Sequence, residues 1–339
     1  MPKIGVIILA AGKGTRMMSE NPKVCAELGG KSLIQRVVNT SLQINVDLIG
    51  IVVGYKQDLV KKSINQLKNI KFITQEQQKG TGHAVKSANN HFSNFNGTVF
   101  ILYGDVPLIK PDTLNKMLEI HRNMKAKCTV LTMYPEDTDR YGRIIRDENN
   151  HVKEIIEFKD ASEDIKKIKE INTGIYCFEC KELFSALEKI DNNNEQKEYY
   201  LTDVLKIIYN DKHKIESMIL EDQNEAAGIN SQSQLAELEK EHYKNIRDHW
   251  MKNGVRIENP ETVLIEEDVI IENDVYISAN SKIVGKSIIK KNSYIGPFSF
   301  IKNSTLLSNS FLQGMNVVEN QNGLLKLRWQ EILQKSINY

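Results

Sequence analysis

Residues 4–17 read IGVIILAAGKGTRM, an apolar run that ends in a glycine loop with two cations beside it. The run is short and rich in β-branched residues, which predicts a buried strand. Similar runs follow at 48–53, 71–74 and 98–103, with helix-like stretches between them. This alternation predicts an α/β fold with a mostly parallel sheet and helices on both faces, in which ligands bind where loops leave the carboxyl ends of the strands.

Length and charge limit the number of domains and the kinds of partner to be expected. The chain has 339 residues, which is long for one domain, and its 45 Lys and Arg residues balance 44 Asp and Glu residues to a formal net charge of +1. Because this balance gives no electrostatic footprint for nucleic acid or anionic lipid, a small-molecule partner is favoured. The apolar run 4–11 is too short to span a membrane and lacks the features of a signal peptide. We therefore expect a cytoplasmic protein that does not insert into membranes.

The cysteines do not indicate a metal centre. The chain has four, and Cys177 and Cys180 form a lone C-x-x-C pair without a second pair of ligands nearby. We interpret these two residues as thiols in a β-rich stretch rather than as zinc ligands.

A six-residue period dominates the last third of the chain. Isoleucine recurs at every sixth position from Ile265 to Ile301 and Leu307 follows, while a second register of Val, Ser and Thr extends from Val263 to Thr305. Such a hexapeptide repeat predicts a parallel β-helix in which each isoleucine stacks inward on those of neighbouring coils.

The pattern also predicts the domain boundaries. Helical spacing of apolar residues after Asn230 predicts a connector helix, and the six-residue register fails at Gln313. The apolar segment 324–333 predicts a helix that caps the open end of the solenoid. The predicted divisions are a first domain over 1–230, a connector helix over 231–254, a short β-helix over 255–312 and a capping segment over 313–339.

The glycine loop allows two interpretations. Gly12 and Gly14 would let backbone N–H groups approach an anion, and Lys13 and Arg16 would neutralise phosphate charge. The alternative is a tight turn on a basic surface. The loop is not a Walker motif, because no Gly-Lys-Ser/Thr follows, and Met17 stands where a dinucleotide fingerprint needs its third glycine.

Further motifs give the loop a context. Residues 9–17, followed by Pro22 and Lys23, resemble the signature of sugar-nucleotide pyrophosphorylases. The order of the later motifs is similar to that in bacterial N-acetylglucosamine-1-phosphate uridylyltransferases, which form half of a bifunctional enzyme: Gln75, GTGHA at 80–84, YGDVPL at 103–108, YGR at 141–143, EFKD at 157–160, INTGI at 171–175 and EYYLTD at 198–203. The resemblance covers nearly all of residues 1–250 and extends less specifically through the hexapeptide region. Gln77 is a departure, since family members usually have Glu there.

The resemblance implies a fold and a reaction. The fold would be a Rossmann-like nucleotidyltransferase domain followed by a short left-handed β-helix, and the reaction would join UTP and N-acetylglucosamine 1-phosphate into UDP-N-acetylglucosamine, a peptidoglycan precursor, and pyrophosphate. A homo-oligomer, such as a trimer through the β-helix, is a further implication. Because the hexapeptide run is short, we expect the family's acetyltransferase activity to be absent. The alternatives are a pyrophosphorylase for another sugar phosphate or nucleotide and a non-catalytic nucleotide-sugar sensor.

Asp105 is the strongest single candidate for chemistry. It follows an apolar strand, where a sheet presents groups to ligand, and its carboxylate suits Mg²⁺, although an Asp before Val106 and Pro107 could also cap a turn. The resemblance implies Asn230 as the second metal ligand, although an Asn just before a helix is more often a cap. It also implies that Arg16 and Lys23 stabilise charge on the phosphates.

The remaining site residues rest on the resemblance. It assigns uracil and ribose to one set of residues: Leu9, Ala10, Ala11, Gly12, Gln75, Gly80 and Thr81. It assigns the amino sugar to Gly142, Glu157 and Asn172, and it includes Tyr103 and Gly104 among the substrate-binding residues. We interpret His83 as orienting the glycine turn rather than as a base.

Overall fold

The structure is a computed structural model that describes residues 2–65 and 69–327. The chain divides into two compact units. The first consists of Met1–Ala26 and Ser32–Ser231, and the second of Glu27–Lys31 and Gln232–Tyr339. The short segment Glu27–Lys31 therefore groups with the second unit although the first unit surrounds it in the sequence.

Strands and helices alternate through residue 231. The strands are β1 (Lys3–Ala10), β2 (Glu27–Leu28), β3 (Lys31–Ser32), β4 (Leu48–Val53), β5 (Ile70–Thr74), β6 (Gly97–Tyr103), β7 (Cys128–Met133), β8 (Arg143–Arg146), β9 (Val152–Ile156), β10 (Ile171–Glu179) and β11 (Ile215–Ile219). The helices are α1 (Leu33–Gln43), α2 (Gln57–Lys62), α3 (Thr81–Lys86), α4 (Asn89–Phe92), α5 (Pro111–Asn123), α6 (Glu163–Lys166), α7 (Cys180–Leu187) and α8 (Asp203–Asn210). Short 3-10 turns lie at Thr15–Met17, Lys23–Cys25 and Gln223–Ala226.

The main sheet of the first unit has the order β11-β7-β10-β6-β1-β4-β5. Its pairs are parallel except that β10 is antiparallel to both β6 and β7, and the small strands β8 and β9 branch from β10. The prediction of a mostly parallel sheet is confirmed. The antiparallel β10 was not predicted, because its partners lie far from it in the sequence.

Helices cover both faces of this sheet. Ile7 and Leu9 of β1 belong to one apolar cluster, and Val6 and Ile8 belong to the other. Successive residues of a strand point to opposite faces, so a strand buried on both faces needs an unbroken apolar run, as residues 6–11 provide.

The carboxyl ends of three central strands meet at one edge. Ala10 of β1 pairs with Val53 of β4, and Leu9 pairs with Tyr103 of β6. The glycine loop and the segment that contains Asp105 leave the sheet at this edge, where a parallel sheet presents groups to ligands.

The second unit begins with α9 (Gln232–Lys252) and continues as short strands in parallel ladders. The strands are β12 (Arg256–Ile257), β13 (Leu264–Ile265), β14 (Ile270–Ile271), β15 (Tyr276–Ile277), β16 (Lys282–Val284), β17 (Ile288–Ile289), β18 (Tyr294–Ile295), β19 (Phe300–Lys302), β20 (Thr305–Leu312), β21 (Val317–Glu319) and β22 (Asn322–Leu327). Ile265 pairs with Ile283 and Ile283 with Ile301, so each coil spans three hexads there. The isoleucines of the six-residue series from Ile265 to Ile301 are buried, at 4% exposed or less, which confirms the predicted parallel β-helix.

The inward register changes after Ile301. Leu306, rather than the predicted Leu307, is fully buried and pairs with Ile289, and Ser304 replaces Thr305 at the small buried position. One coil is therefore a residue shorter than the six-residue pattern implies. The stack needs an apolar side chain at each inward position, and in the coil that is one residue shorter Leu306 provides it.

The coils also continue beyond the predicted end at residue 312. Strand β21 pairs with β19, and β22 pairs with β20, so Val318 stacks over Ile301 in the same ladder. The prediction of a helix from residue 324 is wrong for 324–327, which belong to β22, and residues 328–333 lie outside the described residues. Apolar composition did not distinguish a capping helix from a further coil. No helix in the described ranges is long and apolar enough to cross a membrane.

Candidate active site

A cavity of about 520 Å³ opens at the carboxyl edge of the main sheet. It brings together twelve of the residues singled out from the sequence: Leu9, Ala10, Ala11, Gly12, Arg16, Lys23, Gln75, Gly80, Thr81, Tyr103, Asp105 and Asn230. Gly104 does not line it. Its N–H donates to the Leu9 carbonyl (2.9 Å), and an added Cβ would lie 2.8 Å from Ile34, so the close packing of residue 104 against β1 and α1 explains this glycine.

Lys23 joins the two predicted metal ligands. Its Nζ donates to Asp105 Oδ2 and to Asn230 Oδ1, the latter at 2.9 Å. The N–H of Ile229 donates to the Asp105 carbonyl (3.0 Å), which holds the segment that carries Asn230 against the end of β6. The Asp105 carboxylate oxygen and the Asn230 amide oxygen therefore face the same point, where a positively charged group is stabilised.

This donor set suits Mg²⁺, which binds oxygen and typically uses one or two protein groups beside substrate phosphates and water. Within the described ranges there is no group of three or more His, Cys, Asp or Glu residues that could hold a metal ion by themselves. A metal at Asp105 and Asn230 would thus depend on phosphate oxygens for the rest of its shell.

The glycine loop places Lys23. Gly14 has a φ of 68°, and a Cβ added there would lie 2.5 Å from the Cβ of Lys23, so only glycine allows the two segments to approach. Met17 is buried and anchors the 3-10 turn, whereas Arg16 is exposed on the cavity wall. At Gly12 an added Cβ would meet no atom within 4 Å.

The predicted base-binding residues form a second part of the wall. Gln75 is only 4% exposed, and its Nε2 donates to the Gly80 carbonyl (3.3 Å) and lies 3.0 Å from Nδ1 of His83. Gly80 has a φ of 106°, and an added Cβ would lie 2.6 Å from the carbonyl oxygen of Tyr199. The glycine turn therefore packs directly against the backbone near residue 199.

Residues 198–201 belong to the EYYLTD motif, for which the sequence predicted no role, and in the structure they contact the glycine turn. Tyr199 accepts from the N–H of Gly82 (2.8 Å) and donates its own N–H to the Lys79 carbonyl (2.8 Å). The N–H of Leu201 donates to Thr81 Oγ1 (3.1 Å). This segment fixes the start of α3. Lys13 and Gly14 of the glycine loop also line the cavity, and the lining residues without a predicted role are Thr15, Val24, Gln78, Ala84 and Glu198.

The predicted sugar-binding residues do not line the first cavity. Gly142 and Glu157 are neighbours, since an added Cβ on Gly142 would lie 3.4 Å from Glu157 Oε2, and the N–H of Asn172 donates to the Gly142 carbonyl (2.9 Å). Thr202, which sequence reasoning missed, donates to Glu157 Oε1 (3.1 Å). Burial raises the pKa of Glu157, and this hydrogen bond opposes the shift. Glu157 lines a second cavity of about 440 Å³.

Tyr103 lies between these two groups of residues. It lines the first cavity, and its ring packs on Gly174, where an added Cβ would lie 2.8 Å from the ring. Burial raises the pKa of the Tyr103 phenol, and the charges of Glu157 and Asp105 raise it further. The phenol therefore stays protonated near neutral pH and remains a hydrogen-bond donor.

Arg143 holds the segments around Gly142 in place. It is almost fully buried, and its guanidinium donates to the carbonyls of Thr138 (2.8 Å), Tyr141 (2.5 Å) and Lys166 (3.2 Å). It also lies over the ring of Phe158, with Cζ 5.5 Å from the ring centre. One side chain thus ties together the residues before Gly142 and those after Glu157.

Both parts of the chain match known protein families. Residues 5–254 match the nucleotidyl transferase family, and residues 268–303 match the bacterial transferase hexapeptide repeat. The bifunctional protein GlmU of Brevibacillus brevis is 42% identical over 268 residues, which cover 79% of this chain and 58% of that protein. The protein of the same name from Streptococcus uberis is 41% identical over 262 residues, covering 77% of this chain and 57% of that protein. This chain thus spans less than two thirds of the length of these relatives.

A solved structure shows the same fold. UDP-glucose pyrophosphorylase complexed with UDP-glucose aligns with a TM-score of 0.58 at 20% identity, covering 72% of this chain and 100% of that structure. At this identity the likeness speaks for the fold alone.

Proposed function

This chain belongs to the nucleotidyl transferase family, and we propose that it transfers UMP from UTP to N-acetylglucosamine 1-phosphate, giving UDP-N-acetylglucosamine and pyrophosphate. The observation that carries the proposal is the convergence of Lys23, Asp105 and Asn230 in the cavity that the glycine loop and Gln75 also line. The similarity to bifunctional GlmU proteins, at about 40% identity, supports this choice of substrates.

The reaction needs positioning and charge neutralisation more than proton transfer. An oxygen of the sugar phosphate attacks the α-phosphorus of UTP in line, and the bond to the leaving pyrophosphate breaks. The attacking oxygen is already anionic, so no general base is required. Lys23 and Arg16 stabilise the charge that develops on the phosphate oxygens, and this kind of stabilisation supplies much of the rate in phosphoryl transfer.

Asp105 and Asn230 would hold Mg²⁺, which supplies neutralisation of phosphate charge when bound. In the structure the same two oxygens accept from Lys23. The Lys23 side chain therefore keeps the two oxygens together and is also within reach of an incoming phosphate.

The sugar would lie toward Gly142, Glu157 and Asn172. Asn172 is braced on both sides, because its Nδ2 donates to the Tyr176 hydroxyl (2.7 Å) and its Oδ1 accepts from the N–H of Gly174 (3.0 Å). Its remaining hydrogen-bonding capacity and the Glu157 carboxylate suit the hydroxyl and N-acetyl groups of an amino sugar.

The test is pyrophosphate release measured across a matrix of nucleoside triphosphates and sugar 1-phosphates. We expect UTP with N-acetylglucosamine 1-phosphate to give the highest kcat/KM, and we expect chelation of divalent metal to stop turnover. A higher kcat/KM for another pair would reassign the substrates, and no turnover with any pair would favour a sensing role.

Asp105→Asn tests the site itself. The substitution keeps the shape of the side chain but removes its charge, so we expect kcat/KM to fall by about a hundredfold or more. Asp164→Asn is the matched control, because Asp164 is exposed and forms a surface ion pair with Lys167 (2.8 Å). Equal activity of the two variants would contradict the assignment of Asp105.

The absence of acetyltransferase activity and oligomerisation through the β-helix stay predictions. Thiol release from acetyl-CoA in the presence of glucosamine 1-phosphate tests the first, and light scattering coupled to size-exclusion chromatography tests the second.

A further inference from the structure

We propose that His83 sets the base specificity of this site by fixing the direction in which the Gln75 amide faces. The inference rests on the proposed function, in which Gln75 reads the base of UTP. It makes His83 a positioning residue that acts through Gln75.

The amide nitrogen of Gln75 faces two protein groups. Its Nε2 donates to the Gly80 carbonyl (3.3 Å) and lies 3.0 Å from Nδ1 of His83. Within the described residues Oε1 has no protein hydrogen-bond partner, and the side chain lines the cavity. The group that Gln75 offers to a ligand is therefore an acceptor.

An acceptor at this point distinguishes pyrimidines. Uracil carries a hydrogen on N3 and can donate it to Oε1, whereas N3 of cytosine is itself an acceptor and would face Oε1 lone pair to lone pair. An unpaired polar contact of this kind is costly in a buried site, and Gln75 is buried. If the amide turned over, its NH₂ group would face the base and the preference would weaken or reverse.

His83 and the Gly80 carbonyl together favour one of these two amide directions. The carbonyl can only accept, and a neutral imidazole whose hydrogen is on Nε2 accepts at Nδ1, so both groups then face the NH₂ side of Gln75. Burial lowers the pKa of His83, and the neighbouring charges of Lys79 and Lys86 lower it further, so the ring is neutral at pH 7.

The backbone keeps His83 in reach of Gln75. His83 is in the first turn of α3. Two hydrogen bonds hold the start of this helix: the N–H of Gly82 donates to the Tyr199 carbonyl, and the N–H of Leu201 donates to Thr81 Oγ1. Its ring centre lies 6.4 Å from that of Tyr199. Gly80 retains part of the bias on the amide by itself, so loss of His83 should weaken the selectivity rather than abolish it.

The experiment compares His83→Phe with His83→Asn in the full chain. Phe keeps a ring against Tyr199 but cannot accept from Gln75, whereas Asn can place its Oδ1 near the position of Nδ1. For His83→Phe we expect the ratio of kcat/KM for UTP to that for CTP to fall by about tenfold, mainly through KM for UTP, with KM for N-acetylglucosamine 1-phosphate unchanged. For His83→Asn we expect most of the wild-type ratio to return.

The outcomes separate this inference from the proposed function. Wild-type protein that does not use UTP would refute the proposed function. Wild-type turnover of UTP with an unchanged UTP to CTP ratio in His83→Phe would overturn only the role of His83. Equal losses for UTP, CTP and the sugar phosphate in both variants would show a merely structural histidine and would also overturn it.

Discussion

Gly12 and Gly14 lie in the same loop but differ in what surrounds their α-carbons. Gly14 has a φ of 68° and abuts Lys23, whereas Gly12 faces open space in the cavity. Protein packing therefore accounts for one glycine, and space for a ligand accounts for the other within our proposal.

We expect Gly12→Ala to fold as wild type and to raise KM for UTP by about fivefold or more, because the methyl group would occupy the path of a bound nucleotide. We expect Gly14→Ala to lower the free energy of unfolding by about 1–3 kcal/mol, because its φ is unfavourable and Lys23 must move. Chemical denaturation and steady-state kinetics measure both. A lower free energy of unfolding for Gly12→Ala would contradict the prediction that residue 12 faces only ligand space.

Asp203 gives a prediction about pH. Burial, followed by the charge of Asp191, raises its pKa to about 6. Since the folded state binds the proton more tightly than the unfolded state, this carboxyl costs no stability at low pH and becomes unfavourable as pH rises from about 4 to about 6.

We therefore expect Asp203→Asn to stabilise the protein at pH 7 by about 1 kcal/mol, a figure reduced because the side chain is partly solvated and because an acid at a helix start is otherwise favourable. The difference should vanish near pH 4. Denaturation curves at the two pH values test this, and a gain that grows toward low pH would reverse the sign of the argument.

At the scale of elements, Arg143, the first residue of β8, links the segment before that strand with the last residue of α6 and with Phe158, two residues after β9. Each of the three carbonyls that it satisfies would lose that donor in Arg143→Met, so we expect a loss of about 2–4 kcal/mol in the free energy of unfolding. Because Gly142 and Glu157 adjoin these segments, we also expect KM for the sugar phosphate to rise while KM for UTP stays close to wild type. Arg143→Lys, which keeps the charge but not the planar set of donors, should recover only part of both losses. Equal changes in the two KM values would count against this local role.

At the scale of the whole molecule, the two units have separate apolar cores. The two clusters around the main sheet contain residues of the first unit, and the cluster of stacked isoleucines contains residues of the second. Unfolding of such a chain is not expected to be two-state.

We expect calorimetry to show two thermal transitions. Ile289 is fully buried between Ile271 and Leu306, so Ile289→Ala should cost the second unit about 2–5 kcal/mol and shift one transition while leaving the other in place. Ile219→Ala is a control, because that side chain is exposed. A single transition, or two that move together, would contradict separate unfolding.

The local patterns were sufficient for much of this fold. The apolar runs at 4–9, 48–53, 71–74 and 98–103 all became strands of the parallel sheet, and the six-residue period became stacked coils. These predictions succeeded because side-chain periodicity reports which face of an element is buried. Asp105, predicted from its place after a strand, and Asn230, predicted by resemblance, also lie together in the structure, although their role as metal ligands is a proposal.

The sequence by itself determined four strands of the parallel sheet and the solenoid, which follow from local periodicity, and most of the residues that gather at one edge, which follow from the motifs and the family resemblance. Only the tertiary structure decided that β10 enters the sheet antiparallel, that Glu27–Lys31 groups with the second unit, and that Leu306 replaces Leu307 in the stack. It also decided that Lys23 joins Asp105 to Asn230 and that His83 faces Gln75. Most of these features depend on pairing between segments that are distant in the chain or on atomic distances, and local spacing carries no information about which distant segment or atom becomes the neighbour.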